Sequence, residues 1–122
     1  MLFDLQVAEI DGWTVLAPVG ELDLASAPQV RQEGMRLVSG GVRQVVLDLG
    51  GVDFVDSMGL SVLVGLRKRL ATVGGALRVA RPGDQARRVL DLTGLSLAVP
   101  VFDSLDEALA PVVLGVDGTG DA

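Results

Sequence analysis

Apolar segments of two different periods take turns along this chain, and glycine marks most of the changes from one to the other. A period of two belongs to strands and a period near 3.6 to helices, so regular alternation restricts the chain to a layered α/β fold. Phe3, Leu5 and Val7 alternate with Asp4, Gln6 and Ala8, which predicts a strand over 2–10 with one wet face. Asp11-Gly12 is a hairpin turn signal, so a second strand over 13–19 should pair with the first antiparallel. Gly20-Glu21-Leu22-Asp23 then leads into a helix over 26–39, with Ser26 and Gln29 at capping-box spacing, Pro28 in the first turn and Gly40-Gly41 as the stop.

The pattern repeats downstream. A strand over 42–49 and a loop over 50–56 precede a helix from Ser57 to about Val73. The first half of that helix, Met58 to Leu66, is almost wholly apolar, so its start should pack deeply on the sheet. Arg67, Lys68 and Arg69 stand nearer its C-terminal end, where cations suit the helix dipole. Gly74-Gly75 stops it before a strand over 76–80. Asp84 is placed to cap a third helix through Leu92, closed by Gly94; a last strand over 98–102 and a short fourth helix capped by Ser104 and Glu107 follow. Pro111 ends or kinks that helix. The expected architecture is one α/β domain over 1–114: a mixed sheet opening with an antiparallel hairpin, then strands alternating with about four helices through right-handed crossovers. The small, polar residues 115–122 are expected to form a disordered tail.

Composition narrows the chemistry. Among 122 residues, 49% of them hydrophobic, there is no histidine, no cysteine and no tyrosine, and Lys68 is the only lysine. Imidazole-dependent hydrolases, thiolate nucleophiles and zinc sites are thereby removed, leaving carboxylates as the only acid or base candidates. We therefore expect binding rather than catalysis, with no cofactor. A net charge of -6 without a Lys/Arg block argues against a nucleic-acid surface. No leader-like segment stands at the start and no apolar run approaches the roughly 20 residues that span a bilayer, so a soluble, cytoplasmic protein with no membrane partner is expected.

Ser57 stands where the loop over 50–56 meets a helix start, with Gly59 two residues on. Helix grammar alone makes Ser57 an N-cap whose hydroxyl accepts from the Gly59 or Leu60 amide, a contribution of about 1 kcal/mol. The same geometry serves a second purpose, since free amides and the positive end of the dipole tolerate a phosphate group. Asp56 beside it reads either as a loop-turn carboxylate or, with Asp23, as part of an acidic rim that a partner recognises; spacing alone does not bring Asp23 to Ser57.

Gly20-Glu21-Leu22-Asp23, then Asp53-Phe54-Val55-Asp56-Ser57-Met58-Gly59-Leu60, then Leu92-Thr93-Gly94-Leu95 occur in this order over nearly the whole chain. In these elements the chain resembles the anti-sigma factor antagonists, a family of STAS domains. The resemblance implies partner switching in the control of a sigma factor. The unphosphorylated antagonist binds an anti-sigma factor that is also a serine kinase of the histidine-kinase-like ATPase type, and so frees the sigma factor. That kinase phosphorylates the serine matching Ser57, and a metal-dependent serine phosphatase reverses the step. Asp23, Asp56, Ser57, Met58 and Gly59 fall at the family's contact surface. At Met58 the family often carries a second hydroxyl residue, so an auxiliary hydroxyl is missing here.

Other readings fit less well. Asp48 at a strand end invites comparison with aspartate-phosphorylating receiver domains, but Lys68 lies mid-helix beside two arginines and reads as a solvated charge. Ser57 lacks the Gly-x-Ser-x-Gly elbow of esterases, and no phosphate-binding loop ending in Gly-Lys-Ser/Thr occurs. Trp13 reads as a strand residue packed on the sheet. The alternative inside the same fold is a non-switching STAS scaffold or regulatory subunit of a transporter or lipid-transport assembly, which needs no hydroxyl at position 57.

Overall fold

Asp11 and Gly12 both adopt positive φ, 54° and 84°, the conformation of a two-residue turn whose twist matches that of a β-ribbon. They join β1 (Asp4–Ile10) to β2 (Trp13–Leu22) in antiparallel register, Ile10 opposite Trp13 and Asp4 opposite Val19. The computed structural model describes residues 3–112. The expected tail over 115–122 lies outside that range.

Along the chain follow α1 (Ala27–Ser39), β3 (Gln44–Asp48), β4 (Gly51–Val55), α2 (Ser57–Ala71), β5 (Ala76–Ala80), α3 (Asp84–Leu92), α4 (Leu95–Ala98), β6 (Val101–Phe102) and α5 (Leu105–Ala108). The sheet runs β1-β2-β3-β5-β6, every pair after the hairpin being parallel. β2 is long enough to serve two neighbours: Thr14–Leu16 pair with β3 and Val19–Leu22 with β4. Strands β3 and β4 thus lie in tandem, joined by a tight turn in which the Val52 amide donates to the Leu49 carbonyl.

Period-two burial divides the sheet between two cores. Leu16, Leu22, Val45, Leu47, Leu77 and Val79 face α1, α2 and α3, whose buried residues include Val30, Leu37, Val62, Leu63, Leu66, Leu70 and Leu90. Each such aliphatic side chain contributes about 1.5–3 kcal/mol by leaving water. Trp13, Val15, Val46, Ala76 and Ala80 face the other way, against Ala108 of α5 and the segment after it. Trp13 therefore packs on the sheet, as its position predicts, and its indole N–H donates to the Ala110 carbonyl at 3.2 Å.

Several local expectations change. Residues 50–56, expected as a loop, contain β4. The register slips between Gly20 and Glu21, which pair with Val52 and Phe54, so β4 carries one extra residue at Asp53. This bulge places Asp53 and Phe54 both on the solvent side, between buried Val52 and Val55, and erases the alternation that would reveal a strand. The capping box at Ser26 does not form: Ser26 flanks α1, but its hydroxyl donates to the Glu21 carbonyl and accepts the Asp23 amide. Gly83, not Asp84, is the residue before α3. Of the strand expected over 98–102 only Val101 and Phe102 pair, because the chain first makes the extra turn α4, giving five helices among the described residues in place of four. Ser104 does cap α5, accepting the Glu107 amide at 3.1 Å. The Gly41 and Gly74 stops also hold, each at positive φ after its helix.

Candidate functional site

The parallel strands β2 and β4 end side by side, and the chain leaving β4 enters α2 at once. The residue that starts this helix is Asp56, not Ser57 as the cap reading had it. Asp56 is extended, with φ -100° and ψ -173°, and its Oδ1 accepts the amides of Met58 and Gly59, both at 2.9 Å. Its Oδ2 reaches across to the loop after β2 and accepts the Leu24 amide at 3.1 Å, while its own N–H donates to the Leu22 carbonyl. One carboxylate thereby joins the start of α2 to the end of β2. Three N–H donors on one anion make this a charge-assisted cap, stronger than a hydroxyl provides.

With Asp56 in the cap position, Ser57 becomes the first helical residue. Its side chain is exposed, and its hydroxyl makes no hydrogen bond among the described residues. The expectation that free amides here would cradle a phosphate is corrected: the Met58 and Gly59 amides already belong to Asp56. A group added to Ser57 Oγ would face solvent next to a fixed negative charge.

Gly59 is buried, and the reason is contact rather than flexibility. A Cβ at this position would stand 2.3 Å from the Leu22 carbonyl oxygen, so only glycine lets the first turn of α2 lie on the end of β2. Asp23 comes to the same end of the sheet, between Leu22, whose carbonyl accepts the Asp56 amide, and Leu24, whose amide donates to the Asp56 carboxylate. Its Oδ1 accepts the amides of Ala25 and Ser26 at 3.0 and 3.1 Å, holding the turn that leads into α1. The structure thus brings Asp23 and Asp56 into one hydrogen-bonded assembly that the sequence left open.

Apart from Met58, sequence reasoning missed the apolar part of this surface. Leu24 is 67% exposed, Phe54 43% and Met58 37%, three large side chains set among Glu21, Asp23, Asp53 and Asp56. Phe54 owes its exposure to the bulge, and Leu24 to a backbone whose amide is tied to Asp56. A bulky apolar residue inside the acidic run Asp53-Phe54-Val55-Asp56 was the available signal.

Asp48 is occupied elsewhere. Its carboxylate is buried and forms a two-pronged ion pair with Arg81, Oδ1 to Nε at 3.0 Å and Oδ2 to Nη2 at 2.8 Å, and it accepts the Gly50 amide. The hydrogen bond from Arg81, reinforced by the carboxylate charge, raises the guanidinium pKa further above its ordinary value. Asp48 fastens the β3–β4 turn to the end of β5 and is a structural strand-end residue. Among the described residues there is no cluster of carboxylates suited to a metal ion, and no helix is long and apolar enough to cross a membrane.

Comparison with known proteins matches this geometry to a family. The family model of the STAS domain matches residues 4–108. The anti-sigma-F factor antagonist RsfB of Mycobacterium tuberculosis is 32% identical over 106 residues, 87% of this chain and 86% of that protein. The crystal structure of an anti-sigma factor antagonist from Mycobacterium paratuberculosis superposes with a TM-score of 0.81 at 32% identity, over 88% of this chain and 92% of that one. The Bacillus cell fate determinant SpoIIAA in its phosphorylated form has the same fold, with a TM-score of 0.71 at 23% identity over 87% of this chain and 96% of that one. Matched from β1 to α5 by the family model, and by relatives of nearly its own length, the chain belongs to the STAS domain family.

Proposed function

We propose that this STAS domain is an anti-sigma factor antagonist that works by partner switching. In its unphosphorylated form it binds an anti-sigma factor that is also a serine kinase of the histidine-kinase-like ATPase type. Phosphate on Ser57 releases that partner, and a metal-dependent serine phosphatase restores binding. The domain is substrate and ligand in this cycle rather than an enzyme, and it acts in the cytoplasm.

The observation that carries the reading is the exposed, unengaged Ser57 hydroxyl held beside the fixed carboxylate of Asp56. A kinase needs the first property and a charge switch the second. The exposed side chains of Leu24, Phe54 and Met58, among the acidic groups of Glu21, Asp23 and Asp53, offer a partner an apolar anchor with a polar rim. Asp23, Asp56 and Gly59 shape that surface through the backbone they hold, and Met58 takes part as an apolar contact where relatives often have a hydroxyl. Phosphate adds about -1.5 to -2 charges next to Asp56. Repulsion against a partner carboxylate at contact distance is then roughly 1–4 kcal/mol, up to about a thousandfold in affinity.

The test is intact-mass measurement after incubation with ATP, magnesium and the cognate serine kinase. A gain of one phosphate in the wild type and none in Ser57→Ala is expected. Absence of phosphate, or equal gain in both, removes the reading and leaves the scaffold alternative.

A further inference from the structure

Among the described residues, strand β4 has two edges and only one strand beside it. Its inner edge pairs with β2, ending with the Asp56 amide on the Leu22 carbonyl. On the other side β5 has already finished: its last pair is Ala80 with Asp48, and at Arg81 the chain turns away with φ 55°. The outward N–H and C=O of Val55 would therefore be left without a strand partner, one residue before Asp56. Both are taken by one side chain from α3. Gln85 Oε1 accepts the Val55 amide at 2.9 Å, and Gln85 Nε2 donates to the Val55 carbonyl at 2.8 Å. The primary amide reproduces the donor and acceptor pair of a neighbouring strand residue, which no other side chain except asparagine carries in one plane.

We propose that Gln85 is a positioning residue for the Ser57 site: it acts as a one-residue surrogate strand that fixes the Val55 peptide and, through it, the direction in which β4 delivers Asp56 and Ser57 to α2. The grounds are positional. The bulge at Asp53 loosens the register of β4 just upstream, and downstream the chain is fixed by the hydrogen bonds of Asp56 and by the packing of Gly59 on Leu22. Gln85 closes the remaining degree of freedom between them. It is partly buried in the first turn of α3, whose Ala86 and Leu90 are anchored in the main core, so the contact ties the acceptor segment to a rigid helix. Asparagine, shorter by one methylene, does not reach both groups from the same backbone, and glutamate accepts the amide but offers nothing to the carbonyl at neutral pH.

The role in phosphotransfer rests on the reading of Ser57 as acceptor, and the experiment separates the two. Amide hydrogen exchange and amide resonances are recorded by NMR for wild type, Gln85→Leu and Gln85→Glu, together with KM and kcat for phosphorylation by the cognate serine kinase. In Gln85→Leu, Val55 amide protection is expected to fall about tenfold, the resonances of residues 56–59 to shift, and the protection of Val45–Leu47 in β3 to hold. The KM for the protein substrate is expected to rise about fivefold with kcat little changed, as for a residue that acts on presentation rather than on chemistry. Gln85→Glu, the variant closer in shape, is expected to keep Val55 amide protection while residues 56–59 still shift. Unchanged resonances at 56–59 in both variants, protection lost equally across β3 and β5, or a KM for Gln85→Leu equal to that of a wild type that does take phosphate would each overturn the proposal. If the wild type takes no phosphate, the switching reading falls, and the exchange data alone decide whether Gln85 positions this segment.

Discussion

Asp56 and Gly59, just before and two residues after Ser57, act on stability as well as on any partner. Removing the Asp56 carboxylate leaves the Met58, Gly59 and Leu24 amides without their acceptor. Asp56→Ala is expected to cost about 1–2 kcal/mol in urea unfolding, and Asp56→Asn less, because its Oδ1 still accepts the Met58 and Gly59 amides although its Nδ2 cannot accept the Leu24 amide. Equal losses would mean that the anionic charge, not the cap, stabilises this end of α2. Gly59 and Gly65 provide an internal contrast on the same helix. A methyl group at Gly59 meets the Leu22 carbonyl at 2.3 Å, whereas one at Gly65 meets nothing within 4 Å. Gly59→Ala should therefore destabilise by roughly 1–3 kcal/mol through forced separation of α2 from β2. Gly65→Ala should stabilise by about 0.5–1 kcal/mol through helix propensity alone. Thermal midpoints moving in opposite directions are the expected result, and a destabilised Gly65→Ala would contradict the open space at that position.

At the scale of elements, what could be read from sequence followed the regularity of each segment. The hairpin was legible because Asp11-Gly12 sits between two alternating runs, and α1, α2 and β5 because glycine stops bracket consistent periods. β4 was not, since the bulge at Asp53 puts two exposed residues in a row and two buried ones three apart, a pattern that no period of two describes. Ser57 and Asp56 were visible as residues, yet their roles at the helix start were exchanged: which of two adjacent cap formers takes the extended conformation is decided by the Leu22 and Leu24 backbone across the sheet. Gln85 carried no local signal, because its function depends on where β5 stops. The opposite face shows the same dependence on distant partners. Arg78, buried in β5, lies over the Trp13 ring with its guanidinium carbon 4.3 Å from the centroid and donates to the carbonyls of Ala108, Ala110 and Pro111. It fastens α5 and the following residues to the sheet by a cation over an aromatic face and charge-assisted hydrogen bonds. Arg78→Met keeps much of the volume and loses these donors, so unfolding free energy should fall by about 2–4 kcal/mol. Trp13 is the only tryptophan, so its emission reports this face directly and should shift to the red as the Ala110 segment lifts. An unchanged spectrum would mean that the Trp13–Ala110 hydrogen bond and the packing around Ala108 hold the segment without Arg78.

For the molecule as a whole, the charge balance determines how a switch at Ser57 can work. The chain carries a net charge of -6, and phosphate would take it to about -8. Two kinds of repulsion follow from that change, and they differ in range. A general repulsion between an acidic domain and an acidic partner acts over a Debye length, about 10 Å at 0.1 M salt and 3 Å at 1 M, and disappears across that interval. Repulsion between the phosphate and a carboxylate in contact at about 4 Å is screened much less, because the surrounding Leu24, Phe54 and Met58 side chains exclude ions when a partner covers them. The Asp56 carboxylate, held in place by three amides, adds a second fixed negative charge to the one that a partner carboxylate would meet. The ratio of partner dissociation constants for phosphorylated and unphosphorylated protein should therefore shrink only in part between 0.1 and 1 M salt, by about tenfold or less, and remain well above one. Calorimetric titration of the kinase at the two salt concentrations measures it. A ratio that collapses to one would make the switch a matter of net charge, to which any exposed serine on this face could contribute equally. A ratio that does not move with salt would assign release to the bulk of the phosphate against the partner surface, and Ser57→Asp, which adds charge with little bulk, would then bind as the wild type does.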